Sequence, residues 1–272
     1  MAQVKRRLAI AGFSRPAEVY PQAEALAKKA LQLDETQAEP YIGLGVVDFM
    51  YKWDWKSAEA NLKHAIELEP NNSDAHIAYA HFLSSVGRHE EAIAEGRLAS
   101  DLSPATSLTR VLESQFLLFA GRHDEAMRTI KTALEVDPNF RVALLQLGRI
   151  YIRQRRYEEA IVELEKARKL APEGYEPPMQ IGYALAVSGN RERARATLRE
   201  LERRSKYEFV PFYSFAMIHN GLGERDKALE MLERGVDNRE TQLTYILSDN
   251  RWDNLRSEPR FINILRRMNL AN

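Results

Sequence analysis

Gly87-Arg-His-Glu-Glu-Ala92 recurs as Gly121-Arg-His-Asp-Glu-Ala126, as Arg155-Arg-Tyr-Glu-Glu-Ala160, as Gly189-Asn-Arg-Glu-Arg-Ala194 and as Gly223-Glu-Arg-Asp-Lys-Ala228. These copies stand 34 residues apart, and the alanine column continues upstream through Ala58 and Ala23 at spacings of 34 and 35. A fixed period of this length is the mark of a stacked repeat. Each copy opens on a residue suited to end a helix, glycine in most, and continues with acidic residues that suit the positive end of the next helix. Twelve residues after each alanine stand Glu35, Pro70, Pro104, Pro138, Pro172, Lys206 and Glu240, and proline there stops the second helix. Upstream, Leu44-Gly45, Leu147-Gly148 and Ile181-Gly182 set a large residue beside a small one, which lets two helix backbones approach closely. Each period therefore reads as a helix, a turn and a second helix.

The pattern resembles the tetratricopeptide repeat. The resemblance implies an all-α, right-handed superhelical solenoid of about six to seven units with a C-terminal capping helix. The expected organisation is a partial first repeat over 1–38, an array over 39–240 and a helical cap over 241–272. The array divides into units 39–72, 73–106, 107–140, 141–174, 175–208 and 209–240. Two places depart from the pattern: Glu113-Ser114 stands where the large-small pair belongs, and Gly96 where the second helix usually offers a bulky residue. One extra residue lies between Gly45 and Ala58, in Phe49-Met-Tyr-Lys-Trp-Asp-Trp-Lys56. Trp53 and Trp55 in that lengthened turn read as packing against the next hairpin, with an exposed binding knob as the alternative.

Composition narrows the functional classes. Of 272 residues, Lys and Arg contribute 39 and Asp and Glu 39, so no global field favours nucleic acid or an anionic membrane. Basic clusters such as Arg153-Gln-Arg-Arg156 are matched by nearby acids, here Glu158 and Glu159, and read as solvated surface. Cysteine is absent, which removes disulfides and thiolate chemistry and fits a cytoplasmic protein. No stretch is long and apolar enough for a membrane span, and Leu8 to Phe13 is short for a signal sequence. The six histidines are scattered, and His76 and His81 miss the i, i+4 spacing of paired ligands, so no metal is expected. His89 and His123 fill the repeat slot that Tyr157 fills in the next unit and read as structural. Phosphate loops, dinucleotide fingerprints and nucleophile elbows are lacking, so the chain reads as non-catalytic and without cofactor.

Function then rests on the inner face. On the repeat phase, the first-helix residues expected to line the concave groove are His81, Gln115, Phe119, Arg149, Arg153, Met179, Tyr183, Tyr213, Met217 and Asn220. Aromatic and methionine side chains supply adaptable apolar contact. Arg149 and Arg153, one turn apart, suit a carboxylate. The expected partner is a protein or peptide, with a preference for an acidic tail. The two-carboxylate clamp by which some relatives hold chaperone tails is not matched, since Ile77 with His81, Val111 with Gln115 and Leu145 with Arg149 occupy its places. A small-effector sensor and an oligomerisation scaffold are the alternatives.

The ends differ in character. Pro21 to Asp34 reads as a second helix whose first-helix partner, Val4 to Phe13, is degenerate, leaving an apolar end open for a neighbour or a second copy. Ser257 to Asn269 carries an apolar stripe of Phe261, Ile264, Leu265 and Met268, and with Trp252 and Leu255 is expected to cap the last hairpin. The stretches around Trp53, Gly87 and Trp252 are similar to the C-terminal repeat region of bacterial multidomain regulators. That resemblance implies a parent protein with a winged-helix, Ser/Thr kinase or cyclase-type domain.

Overall fold

The computed structural model describes residues 15–271. Val4 to Phe13, expected to supply the missing first helix, lies outside them, as does Lys5-Arg-Arg7. The described residues are helical throughout, without strands. Helix α1 (Pro16–Leu33) is followed by the hairpins α2 (Ala38–Val47) with α3 (Trp55–Leu68), and α4 (Ser73–Ser85) with α5 (His89–Leu102). Then come α6 (Ser107–Phe119) with α7 (His123–Val136), and α8 (Arg141–Arg153) with α9 (Tyr157–Leu170). The last are α10 (Glu176–Val187) with α11 (Arg191–Arg204), and α12 (Phe212–Gly221) leading to α13 (Arg225–Asp237). Two 3-10 turns, Thr241–Tyr245 and Asn250–Leu255, precede α14 (Pro259–Arg267).

The chain forms two compact units. Unit 1 combines residues up to Pro104 with Gly235 onward, and unit 2 is Ala105–Arg234. Inside each, the helices of a hairpin pack together and each first helix also packs on the next first helix. Alanine makes this closeness possible: Ala58, Ala92, Ala126, Ala160, Ala194 and Ala228 are all fully buried. So do the small residues opposite them. A Cβ on Gly45 would come within 2.6 Å of Leu62 Cγ, and one on Gly148 within 2.6 Å of Leu164 Cγ. Ser114 does the same work where the glycine is missing: it is fully buried, and its hydroxyl donates to the Ala126 carbonyl at 2.9 Å. That bond explains the tolerated departure at Glu113-Ser114, because a small hydroxyl fits and its polarity is satisfied.

Turn residues fall in one conformational column. Gly87, Gly121, Gly189 and Gly223 have φ between +75° and +89°, and Arg155 and Trp53 occupy the same register at φ 60° and 59°. Left-handed backbone costs a side-chain-bearing residue about 1–2 kcal/mol. Arg155 is exposed, so Arg155→Gly is expected to stabilise unit 2 by about 1 kcal/mol in urea denaturation, and unchanged stability would refute the strain.

Trp53 reaches this register because the extra residue is absorbed just before it. Asp48–Lys52 winds as a π-turn, which takes up one inserted residue without changing the hairpin's phase. Lys52 pins the turn, donating to Asp48 at 3.1 Å and to Glu24 of α1 at 2.7 Å, while Asn61 donates to Asp48 at 2.9 Å. Asp54 then caps α3 by accepting from the Ser57 amide at 3.1 Å.

The C-terminal segment does not end its contacts at the last hairpin. Arg267 pairs with Asp237 at the end of α13, but the 3-10 turn Thr241–Tyr245 packs on the π-turn and on α4. Trp252, Leu255, Phe261, Ile264 and Met268 are fully buried and Leu265 is buried, as their stripe requires.

Candidate interaction surface

In unit 1 the inner face is set by α4. Asn72 starts that helix by accepting from the Ala75 amide at 3.1 Å. His76 staples it, with Nε2 donating to the Pro70 carbonyl at 2.8 Å and Nδ1 2.5 Å from Glu95. Two turns from the start, His81 points at the chain's own C-terminal segment: its Nδ1 accepts from the Tyr245 hydroxyl at 2.6 Å. Ser248 donates to the Ser84 carbonyl, Trp55 Nε1 to the Met268 carbonyl at 2.8 Å, and Asn269 Nδ2 to the Trp53 carbonyl at 3.1 Å. Arg239 lies over the Trp53 ring at 4.3 Å and donates to the Lys52 carbonyl at 3.2 Å. Trp53 is thus buried, and Trp55 is half-buried with its indole nitrogen bonded. Neither forms an exposed knob.

Burial pushes His81 down to about 4, so the ring is neutral at pH 7 and free to accept. Its folded pKa lies below the ordinary value near 6.5, so the unfolded chain binds the extra proton between those values. The stability this contributes is complete above about pH 6.5 and is lost as pH falls towards 4. For a partly exposed ring we expect a loss on the order of 1 kcal/mol between pH 6.5 and 5. His89 and His123 are also lowered, first by burial, and add the same sign. The check is the difference in acid slope between the parent chain and His81→Gln, and identical slopes would refute it.

In unit 2 four first helices present the remaining expected residues. Gln115 and Phe119 on α6 and Arg149 and Arg153 on α8 are half-buried. Met179 and Tyr183 on α10 and Tyr213, Met217 and Asn220 on α12 are buried, the most exposed at 9%. Burial shows which of these side chains can be reached in this conformation. Arg149 is held between Glu176, to which Nη2 donates, and Gln146 Oε1, 3.5 Å from Nη1. Arg153 lies close enough to His123 to depress that imidazole further, after burial.

One polar row escaped the sequence reading. Gln146, Gln180 and Ser214 occupy one register on α8, α10 and α12, 34 residues apart, and all are buried. Gln146 Nε2 and Ser214 Oγ make no hydrogen bond. The signal was available: polar residues repeating at the period, inside helices whose flanking positions are apolar. Elsewhere the ionic contacts tie neighbouring helices. Glu59 takes Lys63 at 2.9 Å, Arg88 at 2.6 Å and the Tyr79 hydroxyl at 3.1 Å, which hold its carboxyl down at about 2. Arg156 pairs with Glu159 at 2.7 Å, as its solvated setting suggested.

Among the described residues no helix is long and apolar enough to cross a membrane. Comparison with known proteins follows the same lines. No curated protein matches the sequence. Tetratricopeptide-repeat family models match residues 61–94 and 117–173. Among solved structures, PilF of Pseudomonas aeruginosa is 19% identical, with 83% of this chain and 98% of that one aligned at a TM-score of 0.52. PilW, a type IV pilus biogenesis factor, is 18% identical over 76% of this chain and 94% of its own, at 0.58. The APC/C hetero-tetramer Cut9-Hcn1 is 14% identical over 97% of this chain and 51% of its own, at 0.64. At such identities the likeness concerns the fold. Hairpin architecture, buried alanine column and the two family matches agree: the described residues form an all-α helical repeat, and its stretches 61–94 and 117–173 are similar to the tetratricopeptide repeat.

Proposed function

We propose that this chain is a non-catalytic interaction module whose second unit takes the acidic tail of a protein or peptide between Arg149 and Arg153. The tetratricopeptide-repeat matches support a protein-interaction scaffold. The observation that carries the finer reading is the Arg149–Glu176 pair, half-buried on the first-helix side. Glu176 stands in for a ligand carboxylate and indicates what Arg149 is placed to hold, with Arg153 one turn further along α8 and Gln115 and Phe119 on the preceding first helix. A guanidinium recognises a carboxylate through paired hydrogen bonds, and apolar contact beside it adds hold without strict sequence demand. Absence of cysteine suits a reducing compartment, and we place the module in the cytoplasm, within a larger bacterial regulatory protein.

The test is titration of a fluorescent peptide ending in two glutamates. Arg149→Ala with Arg153→Ala is expected to weaken binding at least tenfold and to flatten its salt dependence. Glu176→Gln, which removes the competing carboxylate, is expected to tighten binding severalfold. Unchanged affinity in the double variant defeats the proposal.

A further inference from the structure

Residues 241–269 lie on the first repeats differently from the way one repeat lies on the next. Hairpins meet in 34-residue register, whereas this segment arrives as two 3-10 turns and one short helix. It is braced within itself. Asp249, buried, accepts from Arg251 Nη2 at 2.6 Å and Nε at 2.9 Å, and Arg256 donates to the Leu247 carbonyl at 2.7 Å and to Asp253 at 2.6 Å. Beside the Arg267–Asp237 pair at the end of α13, the segment bonds to the first repeats through uncharged groups: Thr241 with Tyr20, Tyr245 with His81, Ser248 with the Ser84 carbonyl, Met268 with Trp55 and Asn269 with the Trp53 carbonyl.

The same seam buries polar atoms that gain nothing from it. Trp53 Nε1, Ser84 Oγ and Thr244 Oγ1 make no hydrogen bond. A polar atom dried without a partner weakens the contact that buries it. Within the segment Trp252, Phe261, Ile264 and Met268 are all fully buried, and burial of apolar surface favours its folded position. Apolar anchors, a few neutral bonds and a pre-organised segment are the anatomy of one protein lodged in another's groove.

We propose that the face formed by the π-turn and α4 is a docking surface for a protein segment, with residues 241–269 as its resident ligand. Its exchanging occupant is the same segment of a second copy of the chain, which displaces the resident through the same chemistry. That chemistry is a tyrosine hydroxyl for His81, a small hydroxyl three residues later for the Ser84 carbonyl, and a following helix with an apolar stripe. The same segment from a second copy of the chain meets every one of these requirements. The surface includes neither Arg149 nor Arg153, so this proposal and the acidic-tail reading stand or fall separately.

A labelled peptide of residues 241–271, titrated into the full chain and followed by anisotropy, tests the exchange. Trp252→Ala loosens the resident segment through an anchor, and Tyr245→Phe loosens it by one hydroxyl with the ring retained for folding. Both chains are expected to bind the peptide at least tenfold more tightly than the unsubstituted chain. In the Trp252→Ala background, His81→Leu should weaken capture severalfold, and the weakening should vanish when the peptide carries phenylalanine in place of Tyr245. Concentration-dependent mass in the loosened chains would support exchange between copies. Equal affinity across the three chains, no binding to either loosened chain, or indifference to His81→Leu would overturn the proposal.

Discussion

Trp53→Ala is expected to cost unit 1 roughly 3–5 kcal/mol, the range for emptying a buried tryptophan site. Trp53 is 1% exposed and among the largest fully buried side chains, so the cavity has no easy way to collapse. The loss reaches both ends of the sequence. The Trp53 ring supports Arg239, and its carbonyl receives Asn269, 216 residues away in the chain. Hydrogen exchange should therefore rise in α2 and α14 together. The backbone supplies a finer criterion. Because φ is 59°, a Cβ is strained here whatever the side chain, and Trp53→Gly should be less damaging than Trp53→Ala by about 1 kcal/mol. That order is the reverse of a helix interior. A loss under 1 kcal/mol for alanine would refute the packing, and alanine matching glycine would refute the strain.

Gly148→Ala is the second large effect, and its sign is contested by two terms. Alanine favours helix by up to about 1 kcal/mol over glycine. Against this, the new methyl would sit 2.6 Å from Leu164 Cγ and 2.7 Å from its Cδ2, inside a fully buried contact between α8 and α9. Overpacking of this kind costs about 1–3 kcal/mol, so the net change is expected to be a destabilisation of about 1–2 kcal/mol. Leu164→Ala alone should cost 2–5 kcal/mol. In the double variant the two faults relieve each other, with a favourable coupling of at least 1 kcal/mol in a urea-denaturation cycle. Additive behaviour would mean that the helices part without strain.

The hairpins were legible because their determinants are local and periodic. An alanine column every 34 residues can be seen without knowing what it touches, and each of Ala58 to Ala228 proves fully buried. The extra residue near Trp53 was visible as a spacing of 35, but not the π-turn that absorbs it. Any of several backbone adjustments accommodates one residue, and the choice follows from Lys52 finding both Asp48 and Glu24.

What each first-helix residue meets was not legible. The phase put His81 on the inner side of α4, yet what meets it is Tyr245, 164 residues on. A periodic pattern carries no information about a segment that leaves the period, and Thr241 to Met268 does leave it. Arg149 is similar: its spacing from Arg153 is local, but its pairing with Glu176 depends on two first helices lying side by side.

Unit 1 is assembled from two stretches separated by residues 105–234. During synthesis at about 5–20 residues per second, the first repeats leave the ribosome roughly 6–26 s before the segment that completes them. Throughout that interval His81, Trp53 and the carbonyls of the first repeats await their closing strap, open to chaperones, proteases or a neighbouring nascent chain. A message cut short after α13 would yield a product with those groups left bare, and thus one that cellular quality control can recognise.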